Sequence, residues 1–217
     1  MLLNFARNLF RYSKLKICSE NERFSGIESS EIARIRQLDY TKQWLTLREK
    51  QYYHIRLDDQ SLILFQTTAG KESFSFLPCP LNIPTQSDFL TEQYPDIRPS
   101  KALAYLDDYE LAIMTAEIKP HVTPIRLDTD LNAYRATVHP ATHLHLGIEN
   151  HIRIAIRRTW TPQAFLIFVI RQVYPNNWET LLERKEDLKI ERWIRTDLET
   201  ITSKYWDAAD ELQHYLV

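Results

Sequence analysis

Apolar positions divide the chain into three zones of different period. Up to about residue 50 they recur at helical spacing. Leu2, Phe5, Ala6, Leu9 and Phe10 share one side of a wheel, with Arg7, Arg11 and Lys14 elsewhere. Ser29-Ser30-Glu31 offers a cap for a helix whose stripe includes Ile32, Ile35, Leu38 and Leu45. From 51 to 157 the period shortens toward two. Residues 52–57, 61–67 and 72–77 read as a meander, turning at Asp58-Asp59-Gln60 and Ala69-Gly70-Lys71. Pro78 to Pro99 is punctuated by proline and reads as irregular, with one short helix near Asp88-Phe89-Leu90. Strands resume over 125–128, 133–138, 142–148 and 152–156.

From 160 to 217 the spacing is helical again. Thr161-Pro162 is a start signal, a cap followed by proline at the first helical position. The helix 163–173 is apolar nearly all round, as a helix buried against a sheet would be, and it stops before Pro175. A last helix is expected to carry Ile194, Leu198, Ile201, Tyr205, Ala208, Leu212 and Tyr215, a seam that either packs on its own domain or meets a partner or a second copy. Together these elements predict one α+β domain over 1–217. Its sheet is mostly antiparallel, with N-terminal and C-terminal helices packed on it.

Composition trims the functional options. The chain has 217 residues, 44% hydrophobic and 12% aromatic, which is enough for a substantial core. Its formal charge of −2 gives no global field for nucleic acid, so phosphate binding needs a local basic patch. Three scattered glycines, Gly26, Gly70 and Gly147, exclude a Walker loop and a dinucleotide fingerprint. Cys18 and Cys79 belong to no metal-binding or disulfide pattern, which fits a reducing cytoplasm. No run is long and apolar enough to span a bilayer, and no membrane partner is expected.

The candidate chemistry sits in a histidine-rich strand. His143 and His145 alternate with Thr142, Leu144 and Leu146, so the two histidines share a face. If Glu149-Asn150-His151 forms a three-residue hairpin loop, Gly147 pairs with Arg153, His145 with Ala155 and His143 with Arg157. The aliphatic side chains then gather on one face and His143, His145, Arg153 and Arg157 on the other, with Arg126 and Asp128 continuing it. His139 lies at the turn before Pro140.

Three readings of that face compete. It is a solvated or partly covered sheet face without chemistry. Or it is a phosphodiester site needing no metal or cofactor, with His143 as acid or base, His139 or His145 as partner, and Arg153 with Arg157 clamping the phosphate. Or it holds a transition metal. His143-Leu144-His145 followed by Glu149 is similar to the first cupin motif, but the surrounding glycines and a second histidine motif are missing. Asp128 and Asp130, pointing the same way, would make a two-carboxylate nuclease, yet no lysine stands at motif spacing.

A wider resemblance covers roughly 125–175. Ile125-Arg126-Leu127-Asp128, then His139-Pro140, His143-Leu144, Gly147 and Arg153, then Thr161-Pro162, Phe165, Phe168 and Tyr174-Pro175 follow a pattern HP-x-x-HL-x-x-G, Arg, TP-x-x-F-x-x-F. This resembles an uncharacterised bacterial family known only as a domain of unknown function. The resemblance implies a bacterial, cytosolic, full-length single-domain protein, and it supplies no activity. On the His/Arg sheet face alone, the expectation is a ribonuclease-like effector of a toxin or phage-defence system, acting on RNA or DNA. The alternative is a non-catalytic subunit that binds a protein partner through Ile194, Leu198, Ile201, Tyr205 and Leu212.

Overall fold

The computed structural model describes residues 2–68, 70–96, 104–149, 151–184, 188–213 and 215–216. Ala69 and Asn150 of the two expected turns, and the end of the proline-rich stretch, lie outside the described residues. Seven α-helices occur among those described: α1 (Leu2–Ser13), α2 (Ser29–Ile35), α3 (Tyr40–Glu49), α4 (Gln86–Gln93), α5 (Leu106–Thr115), α6 (Pro162–Val173) and α7 (Pro175–Leu182). The strands β1 (Ile17–Glu20), β2 (Ile55–Leu57), β3 (Leu62–Thr68), β4 (Lys71–Leu77), β5 (Ile125–Asp130), β6 (Thr142–Leu146) and β7 (Ile152–Ile156) pair antiparallel in chain order. β8 (Arg158–Thr159) and β9 (Glu199–Thr200) form a small separate ladder, while β10 (Tyr215–Leu216) joins β7 in parallel. The expected α+β architecture is thus present. No described helix is long and apolar enough to cross a membrane.

Register sorts the sheet into two unlike faces. Phe65 pairs with Phe74, Phe74 with Leu127, Leu127 with Leu144, and Leu144 with Ile154, so one face is a continuous apolar row. α1, α6 and α7 cover it, and Ala6, Leu9, Phe10, Phe165 and Leu166 are buried there. Each such large side chain taken from water contributes about 1.5–3 kcal/mol. Local signals place α6: Thr161 accepts a bond from the Ala164 N–H at 3.2 Å, and Pro162 opens the first turn.

The opposite face changes character from one edge to the other. Over β3 it is apolar, where Leu62 and Leu64 pack with Ile35, Trp44, Leu47, Tyr109 and Ile113 from α2, α3 and α5. At β4 it turns polar with Ser73 and Ser75, which pair with Asp128 and Arg126 of β5. These in turn pair with His143 and His145 of β6. Beyond them Ala155 packs with Ala141, Ile201 and Trp206. A polar strip is therefore walled by two apolar clusters.

Several expectations change. The stripe from Ile32 to Leu45 is two helices, because Asp39 accepts the Lys42 N–H at 2.9 Å and starts α3 afresh. The expected strand over 133–138 is a turn. Asp130 takes the N–H groups of Asn132 and Ala133, and Thr137 adopts a positive φ of 60°. The β6–β7 register is shifted by two residues, pairing His145 with Arg153 and His143 with Ala155. The connection runs from Gly147, whose φ is +87°, to His151 and is longer than a three-residue loop. A two-residue shift leaves every side chain on its expected face.

The largest difference is the C-terminus. In place of one long helix there are a π-turn (Arg192–Thr196), β9, two 3₁₀ turns (Ser203–Tyr205 and Ala208–Leu212) and β10. Thr200, Ile201 and Thr202 are β-branched, and Asp207 caps the second 3₁₀ turn through a reciprocal box with Asp210. Leu198 and Ile201 are buried in the chain's own clusters, Ile194 and Tyr205 are partly buried against them, and Leu212 is 88% exposed. These residues form no common stripe.

Candidate active site in the polar strip

Two adjacent central strands build the site. Asp128 of β5 stands directly opposite His143 of β6, and His145 follows two residues along on the same face. Strands in mid-sheet hold side chains more rigidly than loops. All three residues are buried, His143 at 2% and His145 at 3% exposure, so this part of the face is covered rather than solvated. Their donor atoms lie within 4.8 Å of one another.

Hydrogen bonds fix the tautomers. His143 Nδ1 lies 3.0 Å from the Pro140 carbonyl, which can only accept, so Nδ1 carries the hydrogen. Burial, and then the neighbouring His145 ring, push His143 down to about 4, so its Nε2 carries a lone pair rather than a hydrogen near neutral pH. That lone pair faces His145 Nε2 at 3.0 Å, and the hydrogen between them belongs to His145. The same His145 atom is 3.5 Å from Asp128 Oδ2, while its buried Nδ1 has no partner. With its hydrogen on Nε2, His145 leaves only an acceptor unmet.

Asp128 is fixed from two other sides. Ser73 Oγ donates to Oδ1 at 2.7 Å, and Arg126 Nε reaches both oxygens at 2.9 and 3.1 Å. Burial opposes ionisation, but His145, Arg126 and Ser73 outweigh it and hold the carboxyl below the usual carboxylate range. The group is an anion at any physiological pH.

Around this trio opens a cleft of 280 Å³, lined by Arg36, Lys71, Arg126, Arg153, Asp128, Asp130 and the rings of His139, His143 and His145. Four cationic side chains face two carboxylates, so the cleft is locally basic in a chain of net charge −2. Lys71 is paired with Asp130 at 3.3 Å, whereas Arg36 and Arg153 have no ion-pair partner among the described residues. A groove of 530 Å³ adjoins it, sharing Arg36, Arg126 and His145 and lined further by Ile35, Leu38, Phe76 and Ile125.

The site gathers most of the expected residues. His139 packs edge-on against His143 with ring centres 4.9 Å apart, and Arg126, Asp128 and Arg153 line the cleft. Arg157 does not belong to it. Its guanidinium donates to the Ile201 carbonyl at 3.0 Å and lies over the Trp206 ring, because β7 ends at Ile156 and the chain turns away. Glu149, the acid of the cupin-like spacing, has a side chain 80% exposed, and the carboxylate beside the histidines is Asp128 instead. Arg36, Lys71 and Ser73 escaped the sequence reading. Arg36 follows an amphipathic helix like any surface arginine, and nothing local marks it.

A protein-family model described as an uncharacterized conserved protein (DUF2290) matches residues 11–205. No curated protein and no solved structure matches the chain.

Proposed function

From the premise that the chain belongs to the DUF2290 family, we propose that the cleft is the reaction site of a nucleic-acid-processing enzyme that acts on a phosphodiester. One observation carries this reading: four cationic side chains surround a buried Asp128–His145–His143 trio. Arg36 and Arg153, free of ion pairs among the described residues, would grip the phosphate oxygens in two-pronged fashion. The phosphate then sits beside His143 Nε2, whose lone pair takes up a proton once it is released from the His145 N–H. Desolvation strengthens each of these electrostatic contacts. The adjoining groove, apolar on one wall, has room for the base or sugar next to the reacting phosphate.

Chain-wide charge argues against long-range attraction of polyanions, so affinity would come from the cleft itself. The alternative, a non-catalytic subunit docking through a C-terminal heptad helix, is weaker because those residues lie in turns and short strands. A toxin or phage-defence effector is one setting in which such cleavage would act.

The test is incubation of purified protein with end-labelled single- and double-stranded RNA and DNA, with and without added divalent metal. Cleavage lost in Arg153→Ala supports the reading. A 2′,3′-cyclic end would mark attack by the 2′-hydroxyl, and a 3′-hydroxyl end attack by water. No cleavage and no oligonucleotide binding under any of these conditions would overturn it.

A further inference from the structure

We propose that His143 Nε2, His145 Nε2 and a carboxylate oxygen of Asp128 form a binding site for one divalent transition-metal ion. At metal–nitrogen distances of about 2.0–2.2 Å, two nitrogens bound side by side stand ~3–3.4 Å apart. The two Nε2 atoms are 3.0 Å apart, with Asp128 Oδ2 3.5 Å from His145 Nε2. Two histidines and one carboxylate make an open set, leaving positions for water or substrate. The donors are nitrogen-rich, which favours zinc or iron over magnesium and calcium, with manganese between them as a paramagnetic probe.

The surroundings supply a second, independent argument. A ligating histidine ordinarily donates its other ring N–H to a carbonyl or carboxylate, which fixes the ring and the tautomer. His143 does this through Nδ1 to the Pro140 carbonyl at 3.0 Å, in a residue only 2% exposed. Ser73 and Arg126 hold the Asp128 carboxylate in the same manner. Without an ion, two lone-pair positions converge on one hydrogen. An ion would take its place, and that hydrogen would move to His145 Nδ1, which is unpartnered in this conformation. Binding therefore carries the cost of one buried N–H, or draws in a water molecule to satisfy it.

The metal is bound with or without a nucleic acid, so its test needs no substrate. In the phosphodiester reading the ion would polarise a phosphoryl oxygen or activate a water. Its one carboxylate leaves excess positive charge, which an anionic substrate would neutralise.

Protein stripped with a chelator is titrated with ZnCl₂ and with MnCl₂ by calorimetry. One site per chain is expected. His145→Gln and Asp128→Asn should each weaken it by more than the ~10–100-fold that loss of a supporting hydrogen bond costs. Arg153→Ala should leave affinity within about 3-fold. Since buried variants can misfold, a wild-type readout runs beside them: MnCl₂ should broaden the imidazole resonances of His143 and His145 before those of His54, His121 and His151. No stoichiometric binding, or broadening that begins at His54, His121 or His151, overturns the site. Cleavage without metal binding would leave the phosphodiester reading standing alone, and metal binding without cleavage the reverse.

Discussion

His143 and His145 meet nitrogen to nitrogen, their Nε2 atoms 3.0 Å apart at the bottom of a basic cleft. Strand alternation puts both rings on one face, and the Pro140 carbonyl turns His143 so that its lone pair points at its neighbour. The tautomers follow: hydrogen on Nδ1 of His143 and on Nε2 of His145. Long-range ¹H–¹⁵N spectra of the chelator-treated protein at pH 7 should show that pairing. Hydrogen on Nε2 of both rings would contradict it.

Arg126 and Arg153 line the same cleft but should behave differently. Arg126 is paired with a mostly buried Asp128, so Arg126→Ala strands a carboxylate and should cost about 1–3 kcal/mol of stability. Arg153 is exposed, so Arg153→Ala should change stability by no more than about 0.5 kcal/mol while weakening oligonucleotide binding. Denaturant melts and fluorescence anisotropy read the two effects separately. Equal stability losses would mean that the register-based placement of Arg153 is wrong.

Phe165 anchors α6 to the apolar face, in contact with Phe65 and Phe74. Phe165→Ala should cost about 3–5 kcal/mol, against about 0.5 kcal/mol or less for Met114→Ala, which is 82% exposed. Urea midpoints at constant slope test the contrast.

Asp210 ties the C-terminal turns to the loop before β6, accepting from the Thr137 N–H at 2.6 Å and the Tyr134 hydroxyl at 2.7 Å. Burial opposes its ionisation, yet these bonds and the Asp207 N–H lower its pKa below 3.8. A lowered folded-state pKa means that the stabilisation is fully present above the unfolded value and is lost as pH falls through the folded one. The protection factor of the Thr137 amide, its exchange taken relative to the intrinsic rate at each pH, should therefore fall on acidification below about pH 4. Asp210→Asn should remove that acid step and speed exchange at neutral pH. A flat profile in the wild type would exclude the role.

Much of the fold is written in local pattern. Thr161-Pro162 announces α6, and the alternation of β5, β6 and β7 assigns Asp128, His143, His145 and Arg153 to one face even with the register displaced by two. What escaped depends on context. Ile194 to Tyr215 has heptad spacing, but Asp207–Asp210 capping and the β-branched run at 200–202 outweigh it. The closeness of Asp128 to the histidines needs β5 beside β6, a pairing that period alone does not reveal. Arg36 reaches the cleft from the end of α2, whose Ile35 packs with Leu62 and Leu64, a tertiary placement that nothing local marks.

The central claim is that the buried trio under the arginines breaks a phosphodiester bond. Single-turnover cleavage of an end-labelled oligonucleotide tests it most directly, comparing wild type with His143→Gln at matched folded fraction. Glutamine keeps a polar group near the Pro140 carbonyl but cannot supply the imidazole lone pair. The account predicts at least a ~10²-fold slower rate with unchanged oligonucleotide affinity. A rate equal to wild type in the folded variant would contradict it.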